Sequence, residues 1–546
     1  MDFLTHSVAE KAGFIEIRMG HSAPIIYDTS FTWPSSPEIT RLEYDSRKVI
    51  HGSLFFALTG LHADGHNFIN DAVSRGAAVV IHQNELNEYK ENVIYIRAKN
   101  SRFAMSPIAD AFYDFPSRHM GVIGITGTEG KSTTVYFTYQ LLKLVGKKTG
   151  FISTVQQADG ITEKWNDEHQ TTPEAPTVHR LLAEMRQNGV EFVVVESSSH
   201  GLSKKTNRLG DVDFDVAVMT TLTHDHLEFH GTWENYRSDK AELFRALDSS
   251  PSSHKKQFAG KDISIPSFCV VNVDYTSGEY FAAATKQKSY SYSAKGAKAD
   301  LSLRRIISTS GGNSYELFIS SSEKIITLHD NLPGAFNASN VLAGLLVVSN
   351  LFSISIEDLA PLVPQLKPVR GRMTHICRGQ PFEVIVDFAH TPSSFEAALA
   401  PLRERLNSTS GQEAKGRIIC LFGSAGERDT QKRPQQGEIA ARYSDIVFLA
   451  DEDPRGEEPM AILEEIAKGC LTGSGCEHMK RDETLFLIPN RPEAIRKAFS
   501  IAKQGDLVIL LGKGHENSII YANETIVYDE ITEAVKALEE MGYKKL

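Results

Sequence analysis

The residues best suited to chemistry lie in GVIGITGTEGKSTTVYFTYQLLKL (121–144), where an apolar run meets the glycine turn Gly130-Lys131-Ser132. Apolar residues at helical spacing follow that turn. Backbone N–H groups of such a turn, together with a helix N-terminus, cradle phosphate oxygens. Lys131 would neutralise phosphate charge, and Ser132 or Thr133 would hold magnesium. The usual phosphate-loop word places Gly or Ala five residues before Gly130, but Ile125 stands there and Gly124 is one residue further back. The shorter form G-T-x-G-K-S remains, and a strand before with a helix after favours nucleotide binding over an incidental lysine. A second apolar strand, in VEFVVVESSSHG (190–201), ends in Glu196. A carboxylate at the carboxyl end of a strand beside such a loop sits where parallel sheets gather ligands, and it can bind Mg²⁺. Alone, it reads first as a strand-ending surface residue, and its place after the phosphate-loop strand brings a metal role level with that reading. His224, Asp225, His226, Glu228 and His230 form a third cluster. Its spacing matches no helical zinc word, so each single histidine reads first as hydrogen-bonded packing.

These groups need a scaffold of alternating strands and helices, and the patterning supplies one. Apolar, β-branched runs of strand length alternate with longer helical patterns, which predicts an α/β architecture. A first section to about residue 116 holds SLFFAL (53–58) and AAVVIH (77–82). A second opens at GVIGIT (121–126) and closes with a helix over 337–352, after the breaker pair Pro333-Gly334. The Ser-rich stretch 247–332 reads as part of it. QLKPVRGRM (365–373) reads as a linker, and EVIVDF (383–388), RIICLFG (417–423), DIVFLAD (445–451) and DLVILLG (506–512) read as a second parallel sheet. The expected domains are therefore 1–117, 118–366 and 367–546.

The length of 546 residues accommodates this, at about 150 residues per domain. With 58 Lys+Arg against 69 Asp+Glu, the net charge of −11 argues against a broad nucleic-acid footprint, though not against a local pocket for a small anion. No window approaches the roughly 18 apolar residues of a membrane span. The start MDFLTHSVAEKAGF lacks an apolar signal core. Cys269, Cys377, Cys420, Cys470 and Cys476 contain no C-x-x-C pair, as expected of reduced thiols. The expectation is a soluble, cytoplasmic, multidomain protein.

In order along the chain stand YDSRK (44–48), GTEGKST (127–133), TTP (171–173), SSHGL (198–202), HDHLEFHGT (224–232) and PGAFNASN (333–340). GRM (371–373), VDFAHTP (386–392), GERDTQKRP (426–434), DEDPR (451–455) and GKGHE (512–516) follow. Taken together these words resemble the Mur ligase family, ATP-dependent amino-acid ligases of peptidoglycan precursor synthesis. The resemblance covers nearly the whole chain. It implies a smaller α/β UDP-sugar-binding N-terminal domain, a central ATPase-type sheet, and a C-terminal Rossmann-like parallel sheet that delivers the amino acid. It further implies that Tyr44, Ser46 and His62 contact uridine, and that Thr171, Thr172, Ser198 and Arg208 hold the rest of the UDP-sugar-peptide. An inserted KKTN (204–207) blurs the register at Arg208. Gly127, Thr128, Glu129, Gly130, Lys131, Ser132 and Thr133 match the ATP loop, with Glu129 where the family usually has Asn. Asn337, Arg372 and Asp387 match its contacts to adenine, phosphates and ribose. Ser132, Glu196 and His226 match its magnesium site, and Lys240 matches a lysine carbamylated there. Carbamylation turns a cation that Mg²⁺ would repel into an anion able to bind it. On the bare sequence Lys240 is a helix-surface lysine.

The implied reaction joins a diamino acid to the D-glutamate of UDP-N-acetylmuramoyl-L-alanyl-D-glutamate. ATP makes an acyl phosphate, the amine attacks, and phosphate leaves. Lys131, Glu196, His226 and Lys240 would carry the catalysis, domain closure would exclude water, and the protein is expected to act as a monomer. Arg428 matches the grip on the acceptor's α-carboxylate, and Gly512 and Glu516 match further acceptor contacts. At the specificity word Glu452-Asp453-Pro454-Arg455, Asp replaces the Asn typical of the meso-diaminopimelate branch. The extra negative charge favours a lone distal ammonium, as in L-lysine or L-ornithine. Arg455 points instead to diaminopimelate, with Glu457 and Glu458 partly offsetting it. Two alternatives stay open: a folylpolyglutamate synthetase-like ligase, which would not need YDSRK or SSHGL, and a catalytically silent nucleotide-binding protein.

Overall fold

The computed structural model describes residues 1–546 except 34–35, 61–62, 167–169, 224–226, 250–254, 259–260, 310–311, 409–415 and 545–546. The chain separates into two compact units, Met1–Leu366 and Lys367–Leu546.

Among its described residues the first unit contains two large sheets and a small antiparallel pair, Lys255–Phe258 with Lys261–Ser264. The N-terminal one runs Ile25–Ile26, Phe14–Met19, Ile94–Ala98, Ala77–His82, Ser53–Phe56, Arg41–Glu43, and its last four strands are parallel. Leu54 and Phe56 face one apolar layer while Phe55 faces another, so SLFF is buried on both sides, as a central parallel strand should be.

The larger sheet has seven parallel strands: Thr149–Ile152, Phe192–Glu196, Gly121–Thr126, Val216–Met219, Phe268–Asn272, Lys288–Ser293 and Leu301–Thr309. Antiparallel strands extend both edges, Gln156–Ala158 and Glu163–Trp165 at one, Gly312–Ile319 and Lys324–Asp330 at the other. The Ser-rich stretch thus continues the same sheet. The period of two sorts its side chains. Ile123, Ile125, Val194 and Val218 face a layer shared with the helices Lys131–Leu144 and Asn337–Phe352. Val122, Val193, Val195 and Met219 face a layer shared with Ala175–Gln187 and Trp233–Ser249. The last helix runs so close to Gly121–Thr126 that a Cβ on Gly124 would lie 2.4 Å from Leu243 Cδ1 and 2.8 Å from Phe214 Cε1. Gly124, one residue out of place for a phosphate loop, is there for helix–strand packing.

The second unit is a six-stranded sheet ordered Thr374–Ile376, Glu383–Asp387, Leu507–Leu511, Ile418–Phe422, Ile446–Leu449, Leu485–Leu487. All its strands are parallel except the first. The four strands expected from the sequence are present, and Leu507–Leu511 inserts between the first two of them. Apolar layers cover both faces. All five cysteines are unpaired, and only Cys377 is exposed. Among the described residues no single helix is long and apolar enough to cross a membrane.

Gly124→Val should destabilise the first unit by about 1–3 kcal/mol through overpacking against Leu243 and Phe214. Urea denaturation followed by circular dichroism checks this, and an unchanged midpoint would refute the packing role.

Candidate active site

The strand Gly121–Thr126 turns through Gly127–Gly130 into the helix beginning at Lys131, whose first turn has no side-chain cap. An uncapped helix N-terminus behind a glycine turn leaves N–H groups for an anion. Gly130 is left-handed (φ 80°), and a Cβ there would lie 2.6 Å from Asn340 Oδ1. Neighbouring threonines fix the turn. The Thr128 N–H donates to Thr221 O and the Glu129 N–H to Thr221 Oγ1, both at 2.8 Å, while the Thr220 hydroxyl donates to Glu129 O at 2.6 Å. Lys131 Nζ folds over the turn and donates to Thr128 O at 2.7 Å. Glu129 is held through its backbone, so the replacement of Asn leaves the turn intact. Thr133 is buried in the first turn of the helix.

Glu196, buried at the end of its strand, meets that helix. Its Oε1 accepts from the Ser132 hydroxyl at 2.9 Å, and its Oε2 accepts from the Ser153 hydroxyl at 2.6 Å and the Thr154 N–H at 2.8 Å. It is no surface residue. The Thr172 hydroxyl donates to Glu196 O at 2.9 Å and accepts from the Ser198 N–H at 3.0 Å. Arg208 donates to Thr172 O at 2.8 Å and to Glu174 Oε1 at 2.9 Å, so the inserted KKTN does not carry it away from the TTP turn. Thr171 precedes Thr172 and is half-buried.

Lys240, read from sequence as a surface lysine, is buried. Its Nζ donates to Gly127 O at 2.6 Å and lies 4.7 Å from the centre of the Tyr236 ring. The Tyr236 hydroxyl pairs with Thr128 Oγ1 at 2.9 Å. The lysine therefore faces the phosphate turn. His224, Asp225 and His226 lie outside the described residues, as does the side chain of Glu228. His230 is a packing histidine, with Nδ1 2.7 Å from Asp239 Oδ2 and Nε2 3.0 Å from Ser199 Oγ. Asn337 is buried and donates to Pro333 O at 2.7 Å. Its Oδ1 accepts from Asn340, whose Oδ1 accepts from Thr134 on the phosphate-turn helix. Ser132 and Glu196 present hard oxygen donors side by side, which fits a Mg²⁺ ion.

In the N-terminal part, Tyr44 is half-buried, and Ser46 is the one buried residue of the helical turn Ser46–Lys48. Tyr44 lines a groove of about 230 Å³ with Arg41, Lys48, Tyr113, Thr177 and Arg180. His62 lies outside the described residues.

In the second unit, both Asp387 oxygens accept backbone N–H groups, from Met373 and Ala389 at 2.7 Å. Burial raises its pKa, opposed by Arg372. The Arg372 guanidinium lies 4.6 Å from the Phe388 ring centre. Arg428 is exposed. Glu452 is buried against Gly512, and burial, only partly opposed by Lys432 and Lys513, pushes its pKa up to about 7. Its Oε2 is buried without a hydrogen bond. Asp453 accepts from Lys513 Nζ at 2.8 Å, and Lys513 also pairs with Glu516 at 2.6 Å. Pro454 is buried, and Arg455 is left-handed (φ 54°) with its N–H bonded to Ile520 O.

Two charge expectations need correction. Glu457 does not offset Arg455, because the buried Arg433 holds it in a fork at 2.9 and 3.0 Å. Glu458 caps the helix Pro459–Thr472 by accepting from the Ala461 N–H. Asn340, Ser153, Thr220, Thr221 and Tyr236 were not singled out by sequence. Only Asn340, one helical turn after Asn337 within PGAFNASN, carried a signal that could have found it.

Comparison with known proteins follows this geometry. Models described as Mur ligase family, catalytic domain, Mur ligase middle domain, and Mur ligase, glutamate ligase domain match residues 38–113, 125–348 and 371–514. A Treponema denticola protein named UDP-N-acetylmuramyl-tripeptide synthetase is 47% identical, covering 92% of this chain and 94% of its own. A Geobacillus kaustophilus UDP-N-acetylmuramoyl-L-alanyl-D-glutamate--2,6-diaminopimelate ligase is 37% identical over 93% of this chain and 96% of its own. A solved structure of such a diaminopimelate ligase superposes with a TM-score of 0.57 at 25% identity, covering 95% of this chain and 98% of that one.

Proposed function

The chain belongs to the Mur ligase family, and from that premise we propose that it ligates a diamino acid to the D-glutamate of UDP-N-acetylmuramoyl-L-alanyl-D-glutamate. The observation that carries this reading is the junction of Ser132, Glu196 and the Lys240-bearing helix around one glycine turn. YDSRK and SSHGL favour it over a folate-directed ligase, and the intact Lys131, Glu196 and Lys240 disfavour a silent nucleotide binder.

The uncapped N–H groups of the helix's first turn and Lys131 bind the ATP phosphates. Ser132 and Glu196 would hold Mg²⁺, with His226 and carbamylated Lys240 completing the set, and the ion supplies charge neutralisation there. Arg208, Thr171, Thr172 and Ser198 orient the muramoyl peptide so that its glutamate carboxylate meets the γ-phosphate. The carboxylate attacks the γ-phosphorus and ADP leaves, giving an acyl phosphate; the acceptor amine attacks its carbonyl carbon and loses a proton, and the tetrahedral intermediate expels phosphate. Positioning and charge stabilisation account for the rate. Tyr44, Ser46 and His62 hold the uridine end, and Asn337, Arg372 and Asp387 hold the nucleotide.

For the acceptor, L-lysine or L-ornithine is the favoured reading. Because Lys513 already neutralises Asp453, the support comes from Glu452, whose buried Oε2 accepts no hydrogen bond. The second reading, meso-diaminopimelate, is supported by Arg455 and the Geobacillus relative.

Purified protein with ATP, Mg²⁺ and the UDP-linked dipeptide should turn over lysine or ornithine faster than diaminopimelate, and the reverse order overturns the acceptor assignment. Lys240→Ala should lose ligation by at least a hundredfold while keeping its circular dichroism spectrum. Full activity would remove the carbamate role. Glu452 yields a paired expectation. Its folded pKa lies above the ordinary glutamate value of 4.5, so this group's contribution to stability is greatest at low pH and falls as pH rises from 4.5 to about 7, then levels off. Acceptor KM should fall over the upper part of that range as the carboxylate ionises. Glu452→Gln should flatten both profiles, leaving a more stable protein at pH 8 with a weaker hold on the acceptor. Unaltered profiles would exclude Glu452.

A further inference from the structure

DEDPR (451–455) and GKGHE (512–516) leave the carboxyl ends of Ile446–Leu449 and Leu507–Leu511, with Ile418–Phe422 lying between those strands. Ladder hydrogen bonds join neighbouring strands only, so they do not fix the separation of loops two strands apart. Two side chains span the gap: Lys513 bonds Asp453 directly from loop to loop at 2.8 Å, and Arg491 reaches the root of both loops from a third element. Arg491, the first residue of the helix Arg491–Ile501, is wholly buried. Its Nη1 donates to Asp451 O at 3.2 Å and its Nη2 to Leu511 O at 2.7 Å, the residues immediately before Glu452 and Gly512. The other side of the guanidinium forms a fork with Glu530, Nε to Oε2 at 2.9 Å and Nη2 to Oε1 at 2.7 Å. Glu530 opens the helix Glu530–Glu540, is itself wholly buried, and accepts from the Tyr528 hydroxyl at 2.5 Å.

A buried ion pair is a poor means of stabilising a fold, since apolar side chains of similar volume often do as well. What apolar side chains cannot do is hold two carbonyl oxygens at a set distance. A planar guanidinium can, because its donors are in a rigid array, and a lysine ammonium cannot reproduce that array. The positions so fixed carry the acceptor contacts Glu452, Gly512 and Glu516. We infer that Arg491, held in orientation by Glu530, is a positioning residue that sets the spacing of the two acceptor loops and thereby the affinity for the diamino acid. The affinity half of this rests on the proposed function; the loop-spacing half stands on geometry alone.

The test uses the full chain as Arg491→Lys and as the apolar double variant Arg491→Met with Glu530→Leu, which removes both buried charges together. Hydrogen exchange is read on peptides covering 451–456 and 511–517, and KM is measured for each of the three substrates. At a melting temperature close to wild type, exchange in both loops should rise at least tenfold while the strands stay protected. Acceptor KM should rise at least tenfold, with KM for ATP and the UDP-linked dipeptide changed less than twofold. Unchanged loop exchange in a folded variant overturns the proposal. So does exchange that rises evenly across the unit, an equal loss toward all substrates, or failure of both variants to fold, each of which marks a purely structural pair. If the wild-type protein ligates no diamino acid, the proposed function fails on that result, and the exchange data still decide whether Arg491 spaces the loops.

Discussion

A carboxylate out of reach of water must be given hydrogen bonds or lose its charge, and the first unit is organised around that requirement at Glu196. Three donors come from two places: Ser132 on the phosphate-turn helix, and Ser153 and Thr154 after the neighbouring strand Thr149–Ile152. The Glu196 carbonyl adds Thr172, which in turn orders Ser198 and receives Arg208 on its own carbonyl. One buried acid therefore ties the first turn of the helix Lys131–Leu144 to the TTP turn, Ser198 and Arg208. The parallel sheet makes this possible, because its strands all deliver their ends to the same rim.

What the sequence revealed of this depended on the range of the physics involved. Alternation and helical spacing are local, so GVIGIT, AAVVIH and the helix over 337–352 were legible without any partner. Strand order is not local, which is why the insertion of Leu507–Leu511 between Glu383–Asp387 and Ile418–Phe422 left no mark in the pattern. Gly124 illustrates the same limit. As a letter it looked like a misplaced phosphate-loop glycine, and only the approach of Leu243 and Phe214 gives its reason.

Charge was the least legible property. Lys240 carried every mark of a solvated lysine, yet it is buried against Gly127 and Tyr236. In the second unit the opposite error arose. Asp453, Glu457 and Glu458 counted as free negative charges near the acceptor, and each is already committed, to Lys513, to Arg433 and to a helix N-terminus. A charge sum over a motif cannot tell a group that faces a ligand from one that its own fold has already neutralised. Glu452 emerges by elimination, a buried acid whose second oxygen the chain leaves without a bond.

That residue also explains why two buried charge systems of different kinds coexist so close together. Arg491 and Glu530 are satisfied by each other together with the Asp451 and Leu511 carbonyls and the Tyr528 hydroxyl, and so serve as a fixed frame. Glu452 lies just beyond that frame and is left incompletely satisfied, raised toward neutrality by burial. An incompletely paired acid is useful only if its position does not adapt to find a partner within the protein, because any relaxation would neutralise it before a ligand arrived. The rigid pair is what denies it that relaxation. On the proposed reading, a saturated ion pair and an unsaturated carboxylate are two halves of one device, the first holding the backbone still so that the second stays open to the acceptor's ammonium.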